Sequence, residues 1–214
     1  MQLKGSGLKN LRISKKKFIY LISPNKINSI FYKDLLLVLK TGKVSFFQLR
    51  LKKYSLKNKI LIGKKIKRIC KNNNVKLIIN DDPLLTKKLN ADGCHLGQND
   101  MNIIEAKKII KNKIIGITCH NSIKLARIAI KNKANYLAFG AFFPTRTKNA
   151  KYTATTKVLN AVKKLTEIPL VAIGGINEFN YKNLLLNKVN FLAISSYIWN
   201  NKKYKPLEAI KKIR

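Results

Sequence analysis

At 214 residues, 46% of them hydrophobic, the chain is long enough to bury a large core and has a globular composition. Its 45 Lys and Arg against 9 Asp and Glu give a formal charge of +36, which attracts polyanions: nucleic acid, anionic membrane or phosphorylated metabolites. Lys is spread along every predicted helix, and no basic block stands out apart from Lys15-Lys16-Lys17, so the excess also fits a genome-wide codon bias toward Lys and Asn at solvent-facing sites.

The longest apolar runs, such as residues 18–22 and 35–39, have five residues, where a membrane span needs ~20. No apolar segment of the signal-peptide kind follows the first basic residues. Cys70, Cys94 and Cys119 lack the paired spacing of a zinc site or disulfide framework and read as reduced residues of a cytoplasmic protein. Residues 1–17 read as a basic flexible arm and 18–214 as one domain, since no composition shift divides them.

From residue 18 onward, short β-rich runs alternate with helical stretches. Strands are predicted over residues 18–23, 44–49, 75–79, 93–96, 114–118, 136–140, 170–173 and 191–194. Helices fall near residues 28–40, 55–73, 83–89, 102–111, 122–131 and 155–165, and one follows each of the last two strands. Such alternation demands a parallel sheet, and eight units in this length fit a single-domain (β/α)8 TIM barrel. The competing open, doubly wound sheet usually has a glycine-rich turn after its first strand, and here that turn reads Ser23-Pro24-Asn25.

A barrel places its chemistry at the C-terminal ends of its strands. The third and fourth strands end in Asn80-Asp81-Asp82 and Gln98-Asn99-Asp100, on neighbouring positions of one sheet edge. Asp81 and Asp100 can there share one hard cation such as Mg2+, or serve as turn and cap residues. The second strand runs into Gln48-Leu49-Arg50-Leu51-Lys52, whose alternation aims Gln48, Arg50 and Lys52 together toward the mouth, as a phosphate or pyrophosphate requires. His120, after Thr118 and Cys119, is either a general base or a hydrogen-bonded structural residue, and His95, within a strand, reads as structural or supporting. After the sixth strand, Thr145, Thr147 and Lys148 lie on a non-helical loop and suit an anion. Gly174-Gly175 after the seventh strand and Ser195-Ser196 after the eighth occupy the common phosphate position of such barrels. The sum is two anion sites and one cation site, suited to a pyrophosphate substrate and a monophosphate substrate.

Gln48 to Lys52, Asn80-Asp81, residues 91–100, 116–120, 144–148 and 171–176, in this order, resemble the thiamine phosphate synthase family. The resemblance implies a (β/α)8 transferase that joins a hydroxymethylpyrimidine pyrophosphate to a thiazole phosphate and releases pyrophosphate. It implies that the carbon-oxygen bond breaks first, and that the thiazole nitrogen captures the resulting cation. Carried over, Asp81 and Asp100 hold Mg2+, and Gln48, Arg50, Lys52, Asn80 and Lys148 surround the pyrimidine pyrophosphate, with Thr118 nearby. Lys148, Arg50, Lys52 and Thr118 are the expected catalytic set. Thr145, Thr147, one of the paired glycines Gly174 and Gly175, and the backbone of Ser195 and Ser196 hold the thiazole phosphate. The chain departs from the family at Thr118 (usually Ser), at Ala141 (usually Pro), at residues 152–156 where a glycine is usual, and at Phe191 where a small residue is usual.

Two alternatives stand beside this reading. A thiazole tautomerase of the same fold binds a thiazole phosphate and needs neither the carboxylates nor the pyrophosphate cluster, and His120 is its candidate histidine. A non-enzymatic nucleic-acid-binding barrel would use the charge, but basic residues interleaved with exposed aromatics are not seen. The expected partners are therefore phosphorylated small molecules, with no specific nucleic acid and no membrane, and self-association is left open.

Overall fold

The computed structural model describes residues 18–145 and 152–213. The chain runs β1 (Ile19–Ile22), α1 (Ser29–Leu39), β2 (Val44–Leu49), α2 (Leu56–Asn72), β3 (Lys76–Asn80), α3 (Pro83–Leu89), β4 (Gly93–Leu96) and α4 (Ile103–Ile110). It continues through β5 (Ile114–His120), α5 (Ile123–Lys131), β6 (Tyr136–Gly140), α6 (Thr156–Lys163), β7 (Leu170–Ile173), α7 (Tyr181–Leu186), β8 (Phe191–Ile194), α8 (Ser196–Trp199) and α9 (Pro206–Lys212). All eight strands are parallel and close in chain order, β8 pairing with β1 through Leu192 and Ile19. The expected (β/α)8 barrel is the observed fold.

The strands are apolar on both faces because both faces are covered, and their period of two divides the core. Ile19, Leu21, Phe47, Leu49, Leu77 and Ile79 point outward and bury against the helices. Tyr20, Ile22, Phe46, Ile78, Tyr136, Val171 and Phe191 point inward and fill the barrel. Phe191 stands edge-on to Phe46 at 5.0 Å, so this bulky departure from the family pattern is a packing element of the interior.

Local chemistry sets where the helices begin. Asn28, Ser55, Asn102 and Ser122 each accept a hydrogen bond from the first turn of the helix that follows. Asp82 does the same for α3, with Pro83 in the first helical position, and Asn90 in the left-handed region ends that helix. At the C-terminus, Lys43 Nζ donates to the carbonyls of Ile210, Lys211 and Ile213 at 3.1, 3.2 and 2.6 Å, placing a cation at the end of α9.

The strand bounds differ from the sequence reading in two places that matter. β3 reaches Asn80, and β5 extends past Thr118 to His120. The pairing with β6 skips Cys119, an extra residue that bulges out and leaves His120 at φ +53. Bulges re-aim a strand end, and alternation in the sequence does not reveal them. Among the described residues no helix is long and apolar enough to cross a membrane, and the three cysteines are buried and free. The expected arm over residues 1–17 lies outside the described residues.

One glycine is dictated by the interior. A Cβ on Gly116 of β5 would fall inside the ring of Tyr136, which is buried among Tyr20 and Phe46. Gly116→Ala is therefore expected to lower unfolding free energy by about 1–3 kcal/mol, seen as a lower urea midpoint at unchanged slope.

Candidate active site

The rim at the C-terminal ends of β2, β3 and β4 gathers the charged groups. Asp81 follows β3 directly, at φ +63, and its N–H donates to the His95 carbonyl at 2.8 Å, continuing the β3–β4 ladder by one residue. Adjacent carboxylates thereby divide their roles. Asp82 is consumed by the cap of α3, while Asp81 meets Lys52 Nζ at 3.3 Å. From the end of β4 comes Asp100, whose Oδ2 accepts the Gly97 N–H at 2.7 Å. Burial, followed by hydrogen bonding to and repulsion from Asp81, pushes the Asp100 carboxyl above its ordinary value. The structure thus brings Asp81 and Asp100 together, as their positions on one sheet edge predict.

Gln48, Arg50 and Lys52 do not share one face as their alternation suggests. β2 ends at Leu49, and beyond it the chain turns, so the strand period no longer governs direction. Gln48 is buried, on the inward parity of Phe46. The N–H of Arg50 donates to Ser23 Oγ at 3.0 Å and its guanidinium to Asn25 Oδ1 at 3.1 Å, which draws it toward the end of β1. Lys52 goes to the opposite side, to Asp81. Asn80 closes β3 on the inward parity of Ile78.

Thr118 sits just before the bulge of β5. Its Oγ1 lies 2.8 Å from His95 Nε2, and its carbonyl accepts from the Gln98 side chain. His95 Nδ1 is in turn 3.0 Å from the Tyr136 hydroxyl. His95 is thus a supporting residue, as its place within a strand suggests. His120 packs on the ring of Tyr152 at 4.4 Å.

On the other side of the mouth, Gly174 and Gly175 have φ of +105 and +62, a region that favours glycine. A Cβ on either would collide with the loop after β6, at Ala141 and at the Pro144 carbonyl respectively. Phe142 and Phe143 donate their N–H groups to the carbonyls of Ile173 and Gly174, both at 3.1 Å. The close backbone approach read from the paired glycines is therefore made, at the least, to this loop. Ala141 also exchanges hydrogen bonds with Tyr152 and Ala154, which anchors the far end of the loop. Thr145 is the last described residue before the gap, and Thr147 and Lys148 lie outside the described residues. Ser195 Oγ donates to the Ser23 carbonyl at 3.3 Å, and Ser196 opens α8, tying the β8 turn to the end of β1.

A cleft of about 320 Å3 opens beside Lys52, Asn80 and Asp81, with Lys59 of α2 on its wall. A larger cavity, about 510 Å3, lies at the opposite end of the barrel, near the starts of β3 and β5. There Lys76 is paired with Asp92 at 3.0 Å, and Lys113 donates to Asn90 and Ala91. Of the two, the smaller cleft adjoins the C-terminal ends of the strands, the end at which such barrels carry their chemistry. Sequence reasoning missed Tyr20, Tyr136 and Gln98. Tyrosines at inward-facing strand positions were the available signal, since a buried hydroxyl needs a partner.

A family profile described as thiamine monophosphate synthase matches residues 19–198. A thiamine-phosphate synthase of Pelagibacter ubique is 68% identical over 200 residues, covering 93% of this chain and 97% of that protein. One from Rhodospirillum centenum is 36% identical, covering 86% and 89%. Among solved structures, thiamine phosphate pyrophosphorylase from Pyrococcus furiosus superposes with a TM-score of 0.82 at 28% identity, covering 93% of this chain and 94% of that one. With a profile that spans the whole strand series and relatives that match along most of their own length, the chain belongs to the thiamine monophosphate synthase family.

Proposed function

We propose that this transferase holds a hydroxymethylpyrimidine pyrophosphate against the β2–β3–β4 rim and a thiazole phosphate against the loops after β6, β7 and β8. The pyrimidine carbon-oxygen bond breaks, its electron pair leaves with pyrophosphate, and the thiazole nitrogen donates its lone pair to form the new carbon-nitrogen bond of thiamine phosphate. The observation that carries this reading is the meeting of Lys52, Asp81 and Asp100 at one sheet edge. Arg50 and Lys52, on either side of β2, would stabilise the leaving pyrophosphate as its charge develops, with Lys148 assigned to the same task. Gln48 and Asn80, on inward parity, would orient the pyrimidine, and Thr118 would offer its hydroxyl beside them. Thr145, Thr147, Gly174, Gly175, Ser195 and Ser196 would receive the thiazole phosphate. The three buried free thiols are compatible with a reducing, cytoplasmic setting.

The donor set at the rim fits Mg2+. Two facing carboxylates, of which Asp100 is pushed above its ordinary value by burial and by its contact with Asp81, would be relieved by a shared hard cation, and a pyrophosphate would supply the remaining oxygen ligands. Bound there, the ion would neutralise charge on the leaving group. Incubating the protein with both substrates is expected to yield thiamine phosphate, by mass spectrometry, only when Mg2+ is present. Asp81→Ala should lower kcat/KM at least about 100-fold. Product formed equally well in chelator would remove the metal from the reading, and no product from folded wild-type protein would remove the coupling reaction.

The same pair yields a stability prediction in the absence of metal. A carboxyl whose folded-state pKa is raised binds more protons folded than unfolded, so its contribution is most favourable below the ordinary carboxylate value. That contribution is lost as pH rises through the folded value. In chelator at pH 7, Asp100→Asn, which keeps an oxygen for the Gly97 N–H, should unfold at a higher temperature than the wild type. The gain should be at most about 1 kcal/mol, the scale of a part-exposed charge contact, and should vanish in acid, where Asp100 is protonated in both states. A variant less stable at pH 7 would contradict the like-charge contact.

A further inference from the structure

Four polar side chains run in a line from the middle of the barrel to its mouth. The hydroxyls of Tyr20 and Tyr136 are 2.8 Å apart, Tyr136 is 3.0 Å from His95 Nδ1, and His95 Nε2 is 2.8 Å from Thr118 Oγ1. Tyr20 and Tyr136 are 2% and 3% exposed, and the His95 ring lies nearly parallel to that of Tyr136, at 13°. At the mouth end, Gln98 donates to the Thr118 carbonyl and pins the backbone.

The line has a direction. A buried hydroxyl proton needs an acceptor, and among the described residues the Tyr20 hydroxyl meets only that of Tyr136. Tyr20 therefore donates to Tyr136, and the Tyr136 proton passes to His95 Nδ1. An imidazole that accepts at Nδ1 carries its proton on Nε2, which then donates to Thr118 Oγ1. The reverse order, or a charged imidazolium, would present Tyr136 with a second donor and leave one phenol proton with no acceptor.

We infer that Tyr136, backed by Tyr20, is a positioning residue that holds His95 as the Nε2–H tautomer and so makes the Thr118 hydroxyl a fixed donor into the mouth. The group it selects is an acceptor, a ring nitrogen or a phosphate oxygen of the pyrimidine pyrophosphate, and this assignment of the recipient rests on the functional reading above. Thr118→Ser keeps the donor, whereas Thr118→Val abolishes it.

The tautomer can be read without any substrate. The chain has 2 histidines, so in 15N-labelled His120→Asn protein every imidazole signal belongs to His95. Long-range proton-nitrogen correlation is expected to show the proton on Nε2 in the wild-type network and in Tyr20→Phe, where Tyr136 still donates to Nδ1. In Tyr20→Phe/Tyr136→Phe, which leaves no orphaned hydroxyl, both tautomers should appear. In the otherwise wild-type chain, this pair should lower kcat about tenfold, the worth of one oriented hydrogen bond, at unchanged KM for the thiazole phosphate. A proton found on Nδ1 without the tyrosine substitutions overturns the inference, whether or not any Phe variant folds. So does a double variant that keeps a pure Nε2–H signal and full kcat. Absence of thiamine phosphate synthesis by wild-type protein would instead strike the functional reading and leave the tautomer result standing.

Discussion

The position of the Tyr136 ring is the constraint on which much of the interior depends. It stands inside a closed ring of eight parallel strands, where Tyr20, Phe46 and His95 lie 5.7, 6.2 and 5.6 Å from it, ring centre to ring centre. It fits only because the neighbouring strand has glycine at 116, where any side chain would enter the ring. A β-barrel of this size has no hole through it, since inward side chains must fill the interior at the density of any protein core. Here the filling is largely aromatic. Phe46 bridges Tyr20, Tyr136 and Phe191, so the packed floor and the polar line toward the mouth share the same rings.

Much of this was legible in the sequence, because it depends on chain order alone. Alternating strands and helices give a parallel sheet, a parallel sheet puts the ends of β3 and β4 side by side, and Asp81 therefore meets Asp100 whatever the details of packing. What depends on register was not legible. The bulge at Cys119, which turns His120 aside, leaves no mark on the apolar pattern of the strand. Nor does the adjacency of Asp81 and Asp82 say which caps the helix. The geometry decides, since the left-handed conformation of Asp81 leaves Asp82 at the N-cap. Gly174 and Gly175 were read as a place where backbone could approach a ligand. They are demanded first by the Ala141 to Pro144 segment lying against them, a contact between loops more than 30 residues apart in sequence.

The charge of the chain sharpens the meaning of its acids. With only 9 carboxylate side chains against 45 cations, a carboxylate can easily find a cationic partner, and several are used locally. Asp92 joins Lys76 to the Leu77 N–H, Asp82 and Glu208 cap helices, and Glu105 sits in the first turn of α4. Asp81 and Asp100 are different, because they are set against each other, with Lys52 beside them among the described residues. On a chain of net charge +36, this sets two carboxylates together at the mouth. A polyphosphate drawn in by the surrounding lysines would meet repulsion there, unless a cation lay between it and the two carboxylates. Binding of pyrophosphate and of a divalent ion at this rim would then be mutually reinforcing, each making the site better for the other, and the acidic pair would be what ties the two together.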